Sequence, residues 1–293
     1  MLFRKKIWAA PPISPFGITK FRGAQERMLS HMVELSPQKT QLEVESKFNV
    51  TPLLRSHLDG TYEQLHIPAA TSARLLGFTR QPDTLISDQY FDLDDALTSK
   101  GIWVRRRTER TLSSQRFPLP LQGDDSAQWG AKVKVGGDYQ SSQFEELVGK
   151  EAVMDLVKQH VSNVSSLRKA AYINTFREAW AVREHVERAI ADQGQRMSIV
   201  IDRSTAGDAV ASLSQQELEF QHVVGEVELT RDLDLGQDEE RNAVAKQAAT
   251  AIMKTELDSF MERHSSLFPT QPVPVGKLSA YFAWRKQTKD HLE

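Results

Sequence analysis

Glu43, Glu45 and Lys47 stand at alternate positions in the stretch LEVESKF (42–48). A strand of period two would aim all three at one side. The same alternation recurs further along the chain. Asp202 opposes Ile199 and Ile201 in MSIVIDR (197–203), and Glu226 and Glu228 oppose Val227 and Leu229 in HVVGEVELT (222–230). Carboxylates with no histidine or cysteine among them are hard oxygen ligands, suited to Mg²⁺, Mn²⁺ or Ca²⁺ rather than zinc. Basic residues form a second set. Arg105 and Arg107 share a face with Trp103 in GIWVRRRT (101–108), Lys132 shares one with Lys134 in WGAKVKV (129–135), and Arg177 follows AYINTF. Guanidinium groups grip phosphate oxygens two at a time, and lysines act as point charges. A polyphosphate bridged to a divalent cation would satisfy both sets together.

The elements that must carry these residues are short and rich in Val, Ile and aromatics, with Gly, Pro, Asp or Ser at their ends. Strands are expected at 41–48, 86–92, 101–108, 129–135, 171–182, 197–203 and 222–230, and helices at 150–160 and 238–263. The stretches 109–128 and 204–221 read as polar insertions. Strands and helices do not alternate regularly, which argues against a parallel doubly wound sheet. Any one of these strands alone reads as an ordinary half-exposed strand. Together they differ, because acids lie on three strands and bases mainly on two, while the opposite faces are apolar and need helices to cover them. The charged faces must then line the inside of a closed sheet. The expectation is an α+β fold, a closed antiparallel β-barrel (a tunnel) with a charged interior and helices packed outside. One domain would span 41–287, after a basic extension over 1–40. Five crowded carboxylates would repel and shift upward unless a cation neutralised them.

The composition sets limits. The 293 residues include 40% hydrophobic and 26% charged residues with a net charge of −2, so anion binding must come from local arrangement. The absence of cysteine excludes disulfides, thiolate metal sites and thiol catalysis. No apolar run approaches the ~18 residues of a bilayer span, and no membrane association is expected. Residues 1–25 carry five basic residues and no acidic one. They read either as an organellar targeting segment or as a disordered extension broken by Pro11, Pro12 and Pro15. A cytoplasmic location is expected, or a mitochondrial one if residues 1–40 target the chain.

The ordered motifs resemble a known family. EVESKF resembles the ExExK signature of the CYTH, or triphosphate tunnel metalloenzyme, superfamily. DQYFDLDDALTSKGIWVRRR (88–107) is similar to its D-x-Y-[YF]-D segment leading into an Arg strand. WGAKVK, INTFREAW, VIDRS, VGEVEL and GKLSAYFAW follow in the family's order, so the resemblance covers nearly all of 41–286. Within the superfamily the likeness is to eukaryotic thiamine triphosphatases, through Trp103, the WGAK of 129–132 and the GKLSAY of 276–281. The resemblance implies that Glu43, Glu45, Asp202, Glu226 and Glu228 coordinate Mg²⁺, with Mn²⁺ as a substitute. It implies that Lys47, Arg105, Arg107, Lys132, Arg177 and Lys277 hold the triphosphate, and that Trp103 faces the thiamine rings. Lys132 would be among the catalytic charges, and Glu45 or Asp202 would orient the attacking water, with nothing in the residue types choosing between them. The expected partner is a small organic triphosphate, thiamine triphosphate, handled by a monomer with no nucleic acid. Ser46 stands where the family commonly has Arg, on the face turned away from the cavity. Glu146 is a looser match to a further acidic tunnel residue, and Lys134 ranks below Lys132.

Rival readings use the same charges. Inorganic triphosphatase, RNA triphosphatase and class IV adenylyl cyclase share the tunnel logic, and a non-catalytic polyphosphate-binding module needs only the bases. Trp103 favours a cationic organic group, since a thiazolium is attracted to a tryptophan face. The acidic set argues against a pure anion binder.

Overall fold

Alternation along most of the strands leaves one charged and one apolar face, and closing the sheet puts the charged faces together. The structure, a computed structural model, describes residues 38–60, 77–112, 127–182, 195–207, 220–236 and 238–290. Its strands are β1 (Gln38–Phe48), β2 (Phe78–Arg80), β3 (Thr84–Asp92), β4 (Ile102–Thr111), β5 (Gln128–Gly137), β6 (Ser141–Val148), β7 (Arg168–Val182), β8 (Arg196–Ala206) and β9 (Gln221–Leu235). They pair antiparallel in the order β7-β3-β4-β5-β6-β1-β9-β8, and a β7–β8 ladder closes the ring. The result is a closed eight-stranded barrel, with β2 added to the edge of β7.

Four described α-helices cover the barrel: α1 (Pro52–Leu58), α2 (Lys150–Lys158), α3 (Glu239–Arg263) and α4 (Lys277–Asp290). Local chemistry starts two of them. The Thr51 hydroxyl accepts from the Leu54 amide with Pro52 next in line, and the Asp238 carboxylate accepts from the Arg241 amide. Glu239 and Glu240 in the first turn of α3 and Arg263 in its last complement the helix dipole. Met253, Leu257 and Phe260 of α3 pack on Leu42, Val44, Phe48, Val227 and Leu229, the outward residues of β1 and β9. Val153 and Val157 of α2 cover Ile102, Val104 and Ala131. α4 packs against β7 and β9, where Tyr281 and Leu278 meet Tyr90, Ala171, Ile173 and Phe220.

The expected strands are present, several of them longer than expected. Residues 109–111 belong to β4 and 204–206 to β8, so the two stretches read as insertions are partly strand, and only 113–126 and 208–219 of them lie outside the described residues. β6 was not expected as a strand, because SSQFEELV buries few apolar residues: its Phe144 and Glu146 face inward. Helices α1 and α4 were likewise not expected. The extension expected over 1–40 falls outside the described residues as far as 37, while Gln38–Thr40 already pair with β9. Residues from Gln38 onward form one compact unit. No described helix is long and apolar enough to cross a membrane.

Gly225 lies directly opposite Phe48, and a Cβ there would fall inside the Phe48 ring. That ring packs edge-on to Phe268 at 5.0 Å and cannot retreat freely. Gly225→Ala is expected to cost about 1–3 kcal/mol through overpacking, read as a lower urea midpoint with an unchanged m-value.

Candidate active site

The barrel interior holds a cavity of about 350 Å³. β1 contributes Glu43, Glu45 and Lys47; β4 contributes Trp103, Arg105 and Arg107; β5 contributes Lys132 and Lys134. β6 adds Phe144 and Glu146, β7 adds Arg177, β9 adds Glu226 and Glu228, and the first turn of α4 adds Lys277. All the sequence-identified residues except Asp202 therefore line one space. Asp202 sits behind the wall, 1% exposed. Its carboxylate accepts from Arg177 Nε and Nη2 at 2.7 and 2.8 Å and from Lys277 Nζ at 3.1 Å. Strand parity aims it inward, but Arg177, its direct partner in the β7–β8 register, claims both oxygens first. As it stands Asp202 is a counter-ion to Arg177 and Lys277, as Glu43 and Glu45 are to Lys132 and Lys47.

Lys132 is the centre of the acidic cluster. Its ammonium donates to Glu43 at 2.6 Å and lies 3.6 Å from Glu45 and 3.5 Å from Glu146. Burial alone would favour the neutral amine, yet Glu43, Glu45 and Glu146 hold it charged, well above the usual lysine range. Against burial, Lys132 and Lys47 hold Glu45 at about 2, and Lys132 and Arg105 hold Glu146 at about 2. Glu43 shares the same ammonium but behaves oppositely. Burial, with Glu146, Glu228 and Glu45 around it, outweighs Lys132 and pushes its carboxyl up. Glu226 is pushed up to about 7 by burial and by Glu45, Asp202 and Glu228.

Carboxyls raised by burial and by neighbouring carboxylates are chemically suited to a dication, whose charge would relieve the repulsion. The donor set, all carboxylate oxygen, fits a hard ion such as Mg²⁺. As they stand the carboxylates are held on lysines and arginines. Among the described residues no three His, Cys, Asp or Glu side chains come together as a ready metal-binding group. A cation would have to take over carboxylate oxygens that Lys132 and Lys47 now occupy.

Aromatic residues form the remaining wall. Trp103 meets Phe144 edge-on with centroids 5.6 Å apart, and Lys132 Nζ lies 5.1 Å from the Phe144 centroid. Trp129 of WGAK lies on the other face, tilted against Phe91 at 5.0 Å in the outer core.

Several site residues escaped the sequence reading. Asp88, 0% exposed, accepts from Arg107 Nε and Nη2 at 2.7 Å each, and the two are direct cross-strand partners. The parity test applied to β3 would have placed Asp88 and Tyr90 on the inner face. Tyr139 and Phe144 carried no such signal, since an aromatic near a turn reads as ordinary packing.

No protein-family model matches the chain, and no curated protein matches it. Solved structures of similar layout exist. The chain is similar to a putative adenylyl cyclase of Hippeastrum, HpAC1, described as having a dominant triphosphatase activity (10% identity, TM-score 0.36, 85% of this chain and 96% of that one). It is also similar to the Pct1 RNA triphosphatase of S. pombe (13%, TM-score 0.32, 89% and 98%) and to the Mimivirus capping enzyme triphosphatase (11%, TM-score 0.30, 82% and 100%). The chemistry of the site rests on this chain's own residues.

Asp88 is held well below the usual carboxylate range by Arg107, against burial. Its folded pKa is depressed, so its contribution is complete above the unfolded value of about 4 and is lost as pH falls below that. Asp88→Asn should cost about 3–5 kcal/mol at pH 7, because Arg107 loses its buried counter-ion. The gap from wild type should narrow in denaturation curves taken below pH 4.

Proposed function

We propose that this protein is a metal-dependent hydrolase that removes the terminal phosphate of thiamine triphosphate, giving thiamine diphosphate and phosphate. The observation that carries the reading is the convergence of Lys47, Arg105, Arg107, Lys132, Arg177 and Lys277 on one cavity that also holds carboxylates and a tryptophan. A triphosphate entering this space would draw Lys132 and Lys47 off their carboxylates. Phosphoryl transfer needs positioning and charge neutralisation more than covalent chemistry, and these bases supply both. The water oxygen bonds to the terminal phosphorus as its bond to the bridging oxygen breaks. The bridging oxygen leaves with thiamine diphosphate, and one water proton is lost to solvent.

Glu43, Glu45, Glu226 and Glu228 would hold Mg²⁺ or Mn²⁺, which when bound supplies charge neutralisation and polarises phosphoryl oxygens. Glu45 rather than Asp202 is assigned the orientation of the water, because it faces the cavity while Asp202 is committed to Arg177 and Lys277. Arg177 reaches Asp202 and lies 3.3 Å from Glu228, so its guanidinium is fixed before the substrate arrives. Trp103 offers its ring to the cationic thiazolium.

Phosphate release from thiamine triphosphate, tripolyphosphate and ATP, measured side by side with excess Mg²⁺, should favour thiamine triphosphate. Equal or faster release from tripolyphosphate would overturn the thiamine assignment and leave an inorganic triphosphatase. Lys132→Ala should lower kcat by about 10²–10³-fold, the loss typical of one electrostatic donor. Glu43→Ala and Glu45→Ala should abolish the Mg²⁺-dependent rate in protein whose circular dichroism is unchanged. Full activity in both would refute the metal assignment.

A further inference from the structure

Lys277 differs from the other bases of the cavity, because it comes from the start of α4 rather than from a barrel strand. Its position depends on the strap that precedes it. Asn49 Nδ2 donates to the Pro272 carbonyl at 2.6 Å, His222 Nε2 donates to the Val275 carbonyl at 2.7 Å, and the Gly276 amide donates to the Tyr139 hydroxyl at 2.8 Å. The last contact is made beside the cavity, which Tyr139, Gly276 and Lys277 all line. Gly276 also accepts from the Ala280 amide, so the residue that Tyr139 holds is the one that starts the helix.

Tyr139 is itself firmly aimed. It sits in the β5–β6 turn, where the Asp138 carboxylate accepts from the Gln140 and Ser141 amides at 2.8 and 2.7 Å. Gly137 has φ +76, and a Cβ there would collide with the Ser141 carbonyl. The Gln140 carbonyl accepts from the Lys47 amide at 3.0 Å, tying the turn to β1. The Tyr139 ring in turn faces Lys47, whose ammonium lies 5.9 Å from the ring centroid. A Cβ at Gly276 would approach Lys47 Cε to 3.0 Å, so strap and lysine stem are in close contact.

We propose that Tyr139 is a positioning residue for two phosphate-holding lysines, Lys277 through its hydroxyl and Lys47 through its ring. The inference rests on the reading of the cavity as a triphosphate site. Tyr139→Phe keeps the ring and deletes only the hydroxyl that accepts from the buried Gly276 amide. Tyr139→Leu removes the ring as well.

Tripolyphosphate binding, measured by calorimetry without metal so that no turnover occurs, tests the assignment. Tyr139→Phe should weaken binding about fivefold, the worth of one net hydrogen bond, in protein whose circular dichroism is unchanged. Tyr139→Leu should weaken it further. In a Lys277→Met background, Tyr139→Phe should have no additional effect, because the hydroxyl acts through Lys277. An equal loss in that background would mean that Tyr139 touches the ligand directly, and would overturn the positioning role. Wild-type affinity in Tyr139→Phe would also overturn it, leaving the triphosphate reading intact. Failure of the wild type to bind tripolyphosphate both without metal and with Mg²⁺ would refute the triphosphate reading, and this inference with it.

Discussion

A charge enclosed by a barrel has lost most of its water, and it must be cancelled by a neighbour or it will not stay ionised. The effective penalty is several kcal/mol per ion, recovered only by pairs of good geometry. Antiparallel register supplies much of that geometry here. Arg107 lies directly across from Asp88, Arg177 from Asp202, Lys132 from Glu146, and Lys47 from Glu226. The ladder that closes the barrel thus also sets opposite charges side by side.

Two grades of pairing result. Arg107 and Arg177 each hold a fully buried aspartate through two parallel hydrogen bonds, the planar fork that fixes orientation as well as charge. The lysines are shared instead. Lys132 serves three glutamates at 2.6–3.6 Å, and Lys47 hydrogen-bonds Glu45 while lying 4.0 Å from Glu226. An arginine set by its own aspartate has its orientation fixed in advance, whereas a lysine among glutamates can change partners without moving far. Burial raises both Glu43 and Glu45, and their opposite shifts arise because Glu45 has Lys47 as well as Lys132 to hold it down.

The barrel was legible in the sequence because period two was written in charge rather than in apolar residues alone. Glu43, Glu45 and Lys47 could face one way only, and so could Arg105 and Arg107. Depth was not legible. Asp202 and Glu226 satisfy the same parity test, yet one lies behind the wall under Arg177 and the other lines the cavity. Arg177 across the ladder holds both Asp202 oxygens, whereas Lys47, across from Glu226, bonds Glu45 and lies 4.0 Å from Glu226. β6 was missed because its inner face is mixed, Phe144 beside Glu146, and its outer face carries Glu145, which is paired with Lys246 of α3. Lys277 has no strand to give it parity, and only the resemblance of GKLSAY pointed to it.

The division between faces also separates what stabilises the fold from what the site requires. On the outside, Phe48, Val227, Met253 and Leu257 are buried apolar residues whose removal leaves a cavity and costs stability in proportion. On the inside, removing one member of a pair is costly, but replacing both by apolar residues of similar volume is often neutral or stabilising. A barrel of this size could therefore be filled with Leu and Val and be at least as stable. Stability does not explain why Glu43, Glu45, Glu146, Glu226 and Glu228 crowd around Lys132, Lys47 and Arg177, with the carboxyls of Glu43 and Glu226 pushed up. The arrangement is what the proposed function requires: a ligand with enough negative charge to take the bases, accompanied by enough positive charge to satisfy the carboxylates left behind.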